Sequence, residues 1–402
     1  MVDEEPLGLM EPLMPPERAT ELSDLVLDLV ARSNRLAGML APRIRGSVGD
    51  LVRSMNCYYS NLIEGHDTHP REIDRALAQD YSKEPRKRAL QQEAVAHIEV
   101  QRRIDRGEDP RAHPITREYL LWLHRSFYEK LPEEMLWLET VDTKRRVRVE
   151  PGRFRDVPVI VGRHVPPGPA HLDRFLARLE EAYTREGLSK TSRILAVGAA
   201  HHRLLWVHPF ADGNGRVTRL MSHAMLLRLG VGNPLWSVAR GLARTVNEYK
   251  RLLEEADERR TSDVDGRGTL SEKALVDFCR YFLTVCIDQV EFMAALLDTA
   301  ELLQRIRLHV DEETAAGRLP EGSFPLLREA LLAGEFDRGR AADLTGYRER
   351  RARLTLSALV KRGLLVSDGP KTPVRLGFPI DAVERWFPRL YPHEAGSWKL
   401  EA

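Results

Sequence analysis

The stretch HPFADGNGRVTR occupies residues 208–219 and decides how the rest of the chain is interpreted. Its two glycines, Gly213 and Gly215, permit a tight turn whose backbone N–H groups stay exposed where a helix begins. Those N–H groups and the helix dipole form a cradle for an anion. Arg216 and Arg219 are three residues apart, so they lie on one face of the new helix and point at whatever the cradle holds.

Two more side chains of this stretch supply the chemistry that a phosphate site needs. Asp212 offers hard carboxylate oxygens beside the cradle, and these suit Mg²⁺ bridging phosphate oxygens. His208 is a base that can be neutral at pH 7 and so can accept a proton from an incoming hydroxyl. A loop that serves packing alone does not need a base, a metal ligand, an anion cradle and two arginines. Together they predict a site for phosphoryl or nucleotidyl transfer.

The stretch resembles the signature of the Fic family (filamentation induced by cAMP), HxFx[DE]GNGRxxR, and meets every fixed position. The resemblance extends from about His113 to about Phe282. It implies a mainly α-helical fold with a Fic-type core and a β-hairpin flap. It also implies an enzyme that transfers AMP from ATP to a Tyr, Thr or Ser hydroxyl of a target protein. Some members of the family transfer other groups, so the donor stays open.

The resemblance assigns a role to each residue of the site. His208 would be the general base, and Asp212 would be the ligand of the Mg²⁺ that accompanies ATP. The other residues would hold the nucleotide: Gly213, Asn214 and Gly215 the α- and β-phosphates, Arg216 the phosphate chain, Arg219 the γ-phosphate and Tyr249 the adenine.

A second motif, SNLIEG at residues 60–65, fits the inhibitory pattern [ST]xxxE[GN] of many Fic proteins. Ser60 and Glu64 form an i, i+4 pair on one helical face, and Gly65 is a natural helix terminator. Such a glutamate would pair with Arg219 and take the place of the γ-phosphate, so that ATP would bind without productive geometry. The segment can also be an ordinary capped helix end. In some family members the same glutamate supports removal of AMP.

Residues 144–162 contain two β-branched runs on either side of a Pro-Gly turn, which predicts a β-hairpin. By resemblance this hairpin is the flap that docks the target protein. Gly152 and Arg155 fall where the family has G-x-x-R, and Val159 and Ile160 lie in the second run.

The segment LPEGSFP at residues 319–325 marks the clearest domain boundary. Beyond it, three helices and a strand–turn–strand within about seventy residues predict a winged helix-turn-helix domain. The predicted domains are an N-terminal helical region with the inhibitory helix (1–112), a Fic domain (113–310) and a winged-helix domain (320–402).

The C-terminal region also leaves an alternative function open. Residues 338–362 contain eight Arg or Lys and two acidic residues, in a chain whose net charge is +1. A DNA-binding transcriptional regulator, with the Fic domain as a nucleotide sensor, would use this charge at a recognition helix. Alternatively, the domain would serve dimerisation or target docking, and its basic face would then be solvated. The regulator and the transferase do not exclude each other.

Composition narrows the class further. The 402 residues include 61 Lys and Arg against 60 Asp and Glu, a balance that argues against a chain-wide binder of nucleic acids or membrane surfaces. Three scattered cysteines are too few for a disulfide framework or a cysteine zinc site. No stretch approaches the roughly 18 apolar residues of a membrane span. We therefore expect a cytoplasmic protein without a membrane partner, and a homodimer, with inhibition in cis or in trans, stays open.

Overall fold

The computed structural model describes residues 5–40, 42–139 and 146–391, and most of them lie in helices. Within these ranges, the helices before residue 113 are α1 (Thr20–Met39), α2 (Pro42–Ile63), α3 (Pro70–Leu77) and α4 (Pro85–Asp105). The next helices are α5 (Arg117–Tyr128), α6 (Leu172–Thr184), α7 (Lys190–Val207), α8 (Asn214–Arg228), α9 (Ala239–Arg244), α10 (Val246–Asp257), α11 (Glu272–Leu296) and α12 (Thr299–Ala315). The mainly helical fold is confirmed.

Helices α7 and α8 form the centre of the molecule and are buried along most of their length. They pack against each other, and the signature loop joins them. Helix α1 lies along α11, and α2 lies against α4 and α9. This arrangement brings the end of α2 to the beginning of α8, although the two helices are far apart in sequence.

A two-stranded antiparallel sheet precedes the core, but its pairing differs from the predicted hairpin. Strand β1 (Trp137–Glu139) pairs with β2 (Arg146–Arg148), and Leu138 lies opposite Val147. Residues 153–160, all of them described, form no strand. The predicted pairing across the Pro-Gly turn is therefore wrong, and residues 144 and 145 lie outside the described residues.

The second run fails to pair because it is bound to the signature loop instead. The backbone N–H of Arg155 donates to the carbonyl of Pro209 at 2.9 Å. Its guanidinium donates to the carbonyls of His208 at 2.7 Å and Val157 at 3.0 Å. A buried arginine that satisfies main-chain carbonyls in this way holds the segment as an irregular loop.

The described part of the C-terminal region contains both helices and short strands. The elements are α13 (Ser323–Ala333), β3 (Glu335–Phe336), α14 (Ala341–Thr345), α15 (Glu349–Lys361), β4 (Leu365–Val366), β5 (Val374–Leu376) and α16 (Ile380–Trp386). The strands form an antiparallel sheet in the order β3-β5-β4. The three predicted helices and both predicted strands are present, and β3 is an addition that the sequence did not reveal. Residues 392–402 of the predicted domain lie outside the described residues.

The C-terminal region packs against α2. The hydroxyl of Tyr59 donates to the carbonyl of Leu390 at 2.9 Å, and the rings of Tyr58 and Tyr391 meet edge to face at 5.5 Å. The predicted domain boundaries stay predictions. In the described ranges, no helix has the length and apolar character that crossing a membrane requires.

Candidate active site

The signature loop begins where α7 ends. His208 adopts a left-handed conformation, with φ 48° and ψ 61°, and its N–H donates to the carbonyl of Leu204 at 3.0 Å. This conformation is uncommon for a residue with a side chain and turns the chain sharply out of the helix. Two reciprocal hydrogen bonds then fix the loop: Phe210 N–H donates to Asn214 Oδ1 at 2.9 Å, and Asn214 Nδ2 donates to the Phe210 carbonyl at 2.8 Å. Asn214 therefore locks the loop onto the first turn of α8.

A stack of rings supports the loop from inside. The ring of His124 lies between those of Phe210, at 4.1 Å, and Tyr128, at 4.2 Å. Tyr128 in turn lies directly under Gly213, where a Cβ atom would come within 2.6 Å of its ring. Gly213 also has φ +79°, so the position requires glycine for its backbone conformation and for this close approach.

His208 has the protonation state that a general base needs. Its Nδ1 lies 3.3 Å from the carbonyl of Leu205, and because a carbonyl only accepts, Nδ1 carries the proton of this hydrogen bond. Burial lowers the pKa of the imidazole to about 4. At neutral pH the ring is therefore uncharged, and Nε2 can accept a proton.

Asp212 is held by two donors at one oxygen. Its Oδ2 accepts from the Tyr128 hydroxyl at 2.7 Å and from Arg216 Nη2 at 3.2 Å. Burial by itself would raise the pKa of Asp212, but the charge of Arg216 and the Tyr128 hydrogen bond hold it below its ordinary value. Asp212 is therefore ionised at neutral pH.

The surroundings of Asp212 fit a Mg²⁺ ion that is shared with phosphate. The side chain is 37% exposed, so a carboxylate oxygen is accessible from solvent. The described residues contain no group of three or more His, Cys, Asp or Glu that could hold a metal by themselves. Mg²⁺ commonly takes one or two carboxylates together with substrate phosphates.

Arg219 is bound by the inhibitory motif. Its Nε donates to Ser60 Oγ at 2.9 Å, and its Nη2 donates to Glu64 Oε1 at 2.5 Å. Burial would raise the pKa of Glu64, but the charges of Arg219 and Arg216 lower it below its ordinary value, so the carboxylate is ionised. The same carboxylate lies over the first turn of α8, where a Cβ on Gly215 would collide with it.

The remaining predicted site residues differ in how far they are buried. Tyr249 is buried, and its hydroxyl forms a 2.7 Å hydrogen bond with Nε2 of His201. Arg155 is also buried beneath the loop, where burial lowers its pKa to about 10. In contrast, Val159 is half-buried and Ile160 is 47% exposed. The structure thus brings the signature residues into contact with Ser60 and Glu64. Val159 and Ile160 lie at the protein surface beside the signature loop.

Sequence reasoning missed three residues of this site. Tyr128 and His124 support the loop from α5, and Glu93 of α4 forms an ion pair with Arg216. None of them lies in a recognisable motif. Each contacts a partner more than 80 residues away in sequence, and a local sequence pattern does not reveal such a contact. The one available signal was the occurrence of polar side chains at positions of α4 and α5 that the helical pattern buries.

Comparisons with known proteins identify the region that contains the signature loop. Residues 114–226 match the Fic/DOC family. Protein adenylyltransferase Fic of Drosophila grimshawi is 35% identical over 114 residues, which are 27% of this chain and 23% of that protein. The protein of the same name from Drosophila willistoni is 29% identical over 201 residues, 49% of this chain and 36% of its own length. The chain thus spans about a quarter to a third of the length of these relatives.

The fold is also similar to that of a solved structure. A structure of Fic-1 from C. elegans aligns with a TM-score of 0.52 at 18% identity, covering 70% of this chain and 74% of that one. The family match over residues 114–226 shows that the chain contains a Fic domain.

Proposed function

We propose that the protein is an autoinhibited protein adenylyltransferase that transfers AMP from ATP to a Tyr, Thr or Ser hydroxyl of a target protein and of itself. One observation carries the proposal: a single rigid loop brings the neutral His208 and the ionised Asp212 together at the N-terminus of α8. The adenylyltransferase names of the Drosophila relatives support the reaction type.

The phosphates bind at the beginning of α8. The backbone N–H groups of Gly213, Asn214 and Gly215 and the positive end of the helix dipole hold the α- and β-phosphates. Arg219 binds the γ-phosphate once Glu64 has left it. Asp212 would hold Mg²⁺, which when bound neutralises charge on the phosphate oxygens. The family resemblance assigns Tyr249 of α10 to the adenine; its side chain is buried, with the hydroxyl bonded to His201.

The chemical step is an in-line displacement at phosphorus. The oxygen of the target hydroxyl forms a bond to the α-phosphorus as the bond from that phosphorus to the bridging oxygen breaks, and pyrophosphate leaves. His208 Nε2 takes the hydroxyl proton. The loop amides stabilise the charge on the phosphate oxygens without reorganising, because the loop already fixes their positions. Arg219 adds its positive charge once Glu64 has left it.

Glu64 keeps this site inactive. Its carboxylate occupies the position that the γ-phosphate needs and neutralises Arg219. An ATP molecule that enters meets a like charge, so it binds weakly or with its α-phosphorus misplaced. Ser60 strengthens the contact, because its hydroxyl and its carbonyl both accept hydrogen bonds from the same guanidinium.

The target docks on the irregular segment beside the loop. Val159 and Ile160 present apolar surface there, and Val161 and Val165 extend it, with exposed fractions of 40% and 70%. Arg155 fixes the segment to the carbonyl of His208, so the docked hydroxyl is positioned relative to the base.

Mass spectrometry tests the proposal directly. The Glu64→Gly protein is incubated with ATP and Mg²⁺ and its intact mass is measured. We expect a mass gain of one AMP, located by peptide analysis on a hydroxyl side chain. In a second sample, cell extract proteins are added as targets. An unchanged mass of the Glu64→Gly protein, together with no AMP adduct on any extract protein, would count against an adenylyltransferase.

The alternative, a DNA-binding regulator, has two observations in its favour. The C-terminal elements follow the order of a winged helix, and Arg348, Arg350 and Arg353 are exposed at the beginning of α15. A mobility-shift assay with salt titration decides it: DNA binding predicts that log K falls with log salt by about 0.9 per phosphate contact. Loss of this slope in an Arg350→Gln/Arg353→Gln variant supports the regulator, and absence of binding by the intact chain rejects it. Light scattering of the same sample tests for the homodimer.

A further inference from the structure

Arg216 is enclosed by protein groups on nearly every side. Its Nη1 is hydrogen-bonded to Glu93, and its Nη2 donates at 3.2 Å both to the Tyr128 hydroxyl and to Asp212 Oδ2. The guanidinium carbon lies 5.1 Å from the centre of the Phe127 ring. The side chain is buried, and within the described residues its Nε has no hydrogen-bond partner. Both terminal nitrogens of the guanidinium are therefore engaged by protein groups, and the side chain, only 4% exposed, offers little surface to a ligand.

Glu93 is a fixed partner for this arginine. It lies in α4 with no exposed surface, and its Oε2 accepts a 2.8 Å hydrogen bond from His66 Nδ1. Separating Arg216 from Glu93 would leave an uncompensated charge inside the protein, which is strongly unfavourable. Arg216 therefore stays with Glu93 whether or not a nucleotide is present.

The two arginines of the loop differ in this respect. Arg219 is bound by Glu64, whose side chain is 27% exposed and stands at the site where an anion would bind. Glu64 can leave and a phosphate can replace it. Glu93, at 0% exposure, lies behind the loop and cannot be replaced in the same way.

We propose that Arg216 is a positioning residue for Asp212, held from behind by Glu93 and assisted by Tyr128, and not a ligand of the phosphate chain. The inference rests on the proposed function and deepens it. Arg216 and Tyr128 both donate to Oδ2, so they fix the orientation of the Asp212 carboxylate. The other oxygen, Oδ1, would then be the one available to a Mg²⁺ ion. Groups that orient a metal ligand in this way typically contribute about 10–100-fold to metal affinity.

Calorimetric titration with ATP, in EDTA and in Mg²⁺, separates the two roles. All proteins carry Glu64→Gly, so that the inhibitory carboxylate is absent. The test variant is Arg216→Gln/Glu93→Gln, which removes both buried charges together and keeps hydrogen-bonding side chains. Arg219→Gln is the control for a phosphate ligand, and Asp212→Asn is the control for a metal ligand.

We expect the test variant to behave like Asp212→Asn. Its affinity for ATP in EDTA stays within about twofold of the parent, and the Mg²⁺ concentration needed to strengthen binding rises about tenfold. Arg219→Gln weakens binding in both conditions. A test variant that loses ATP affinity in EDTA as Arg219→Gln does overturns the inference and restores the phosphate-clamp role.

A second variant covers failure to fold. If circular dichroism shows that Arg216→Gln/Glu93→Gln is unfolded, Tyr128→Phe carries the test, since it removes only the hydroxyl that orients Asp212. We expect a smaller loss, confined to the Mg²⁺-dependent part of binding, and an equal loss in EDTA overturns the inference. If the Glu64→Gly parent itself binds no ATP in either condition, the proposed function fails and the inference fails with it.

Discussion

The carboxylate of Glu64 accepts a 2.5 Å hydrogen bond from Arg219 Nη2, although 155 residues separate the two in sequence. The contact places the end of α2 over the first turn of α8, where the exposed N–H groups of a helix attract anions. Glu64 is ionised there because Arg219 and Arg216 lower its pKa against the opposing effect of burial. In the proposed function, this carboxylate takes the place of the γ-phosphate.

Removing that carboxylate should activate the protein. We expect Glu64→Gly to raise self-labelling by labelled ATP about 10–100-fold, because a charge-assisted hydrogen bond of this kind contributes about 1.5–3 kcal/mol. Glu84→Gly is the control: Glu84 is an exposed carboxylate that forms an ion pair with Lys87. Equal labelling of the wild type and Glu64→Gly would contradict the inhibitory role.

The loop should depend on the absence of a side chain at Gly213. Gly213→Ala meets both a positive φ and the Tyr128 ring, whereas Gly230, at the other end of α8, has φ +71° and no atom within 4 Å of a Cβ. Urea denaturation should show a loss of about 1 kcal/mol for Gly230→Ala and about 1–3 kcal/mol more for Gly213→Ala. Nucleotide binding should be impaired in Gly213→Ala alone. Equal effects on stability would mean that the contact with Tyr128 is unimportant.

The buried histidines should make stability fall as the pH falls below 6.5. Burial lowers the pKa of His97 and of His124 to about 3. Between pH 6.5 and 4 only the unfolded state binds their protons, so each lowers the free energy of unfolding by about 1.4 kcal/mol per pH unit. His66 acts in the opposite direction, because its hydrogen bond with Glu93 raises its pKa and its contribution is lost as the pH rises.

Urea midpoints at pH 7.5 and 5.5 measure this dependence. His97→Leu should reduce the difference in unfolding free energy between the two pH values by about 1.4 kcal/mol. The substitution breaks no hydrogen bond, since neither ring nitrogen of His97 has a partner in the described parts of the chain. Identical pH dependence in the wild type and His97→Leu would show that His97 is not buried as a neutral ring.

The C-terminal region should help to hold the inhibitory helix in place. Tyr59, the residue before Ser60, donates to the carbonyl of Leu390 in a buried contact. Tyr59→Phe leaves that carbonyl unpaired at a cost of about 1 kcal/mol. In a protein that keeps Glu64, we therefore expect this substitution to raise self-labelling a few-fold above that of the wild type. Tyr81→Phe, which alters a half-buried tyrosine between α3 and α4, is the control. If the two variants label alike, the C-terminal region does not restrain α2.

The sequence predicted the signature loop and the inhibitory pair because each is a local pattern with its chemistry in adjacent turns. It predicted the C-terminal helices and strands for the same reason. It could not predict Glu93, which finds Arg216 across 123 residues through the packing of α4 on α8. The hairpin prediction was wrong because β-branched runs favour strands, whereas the buried Arg155 binds the second run to the loop.

The most direct test of the central claim compares ATP labelled in the α-phosphate with ATP labelled in the γ-phosphate. The Glu64→Gly protein is incubated with each, beside Glu64→Gly/His208→Ala. The account predicts covalent label from the α-phosphate alone, and none in the double variant, because His208 must take the hydroxyl proton. Label from the γ-phosphate, or α-phosphate label that persists without His208, would contradict it.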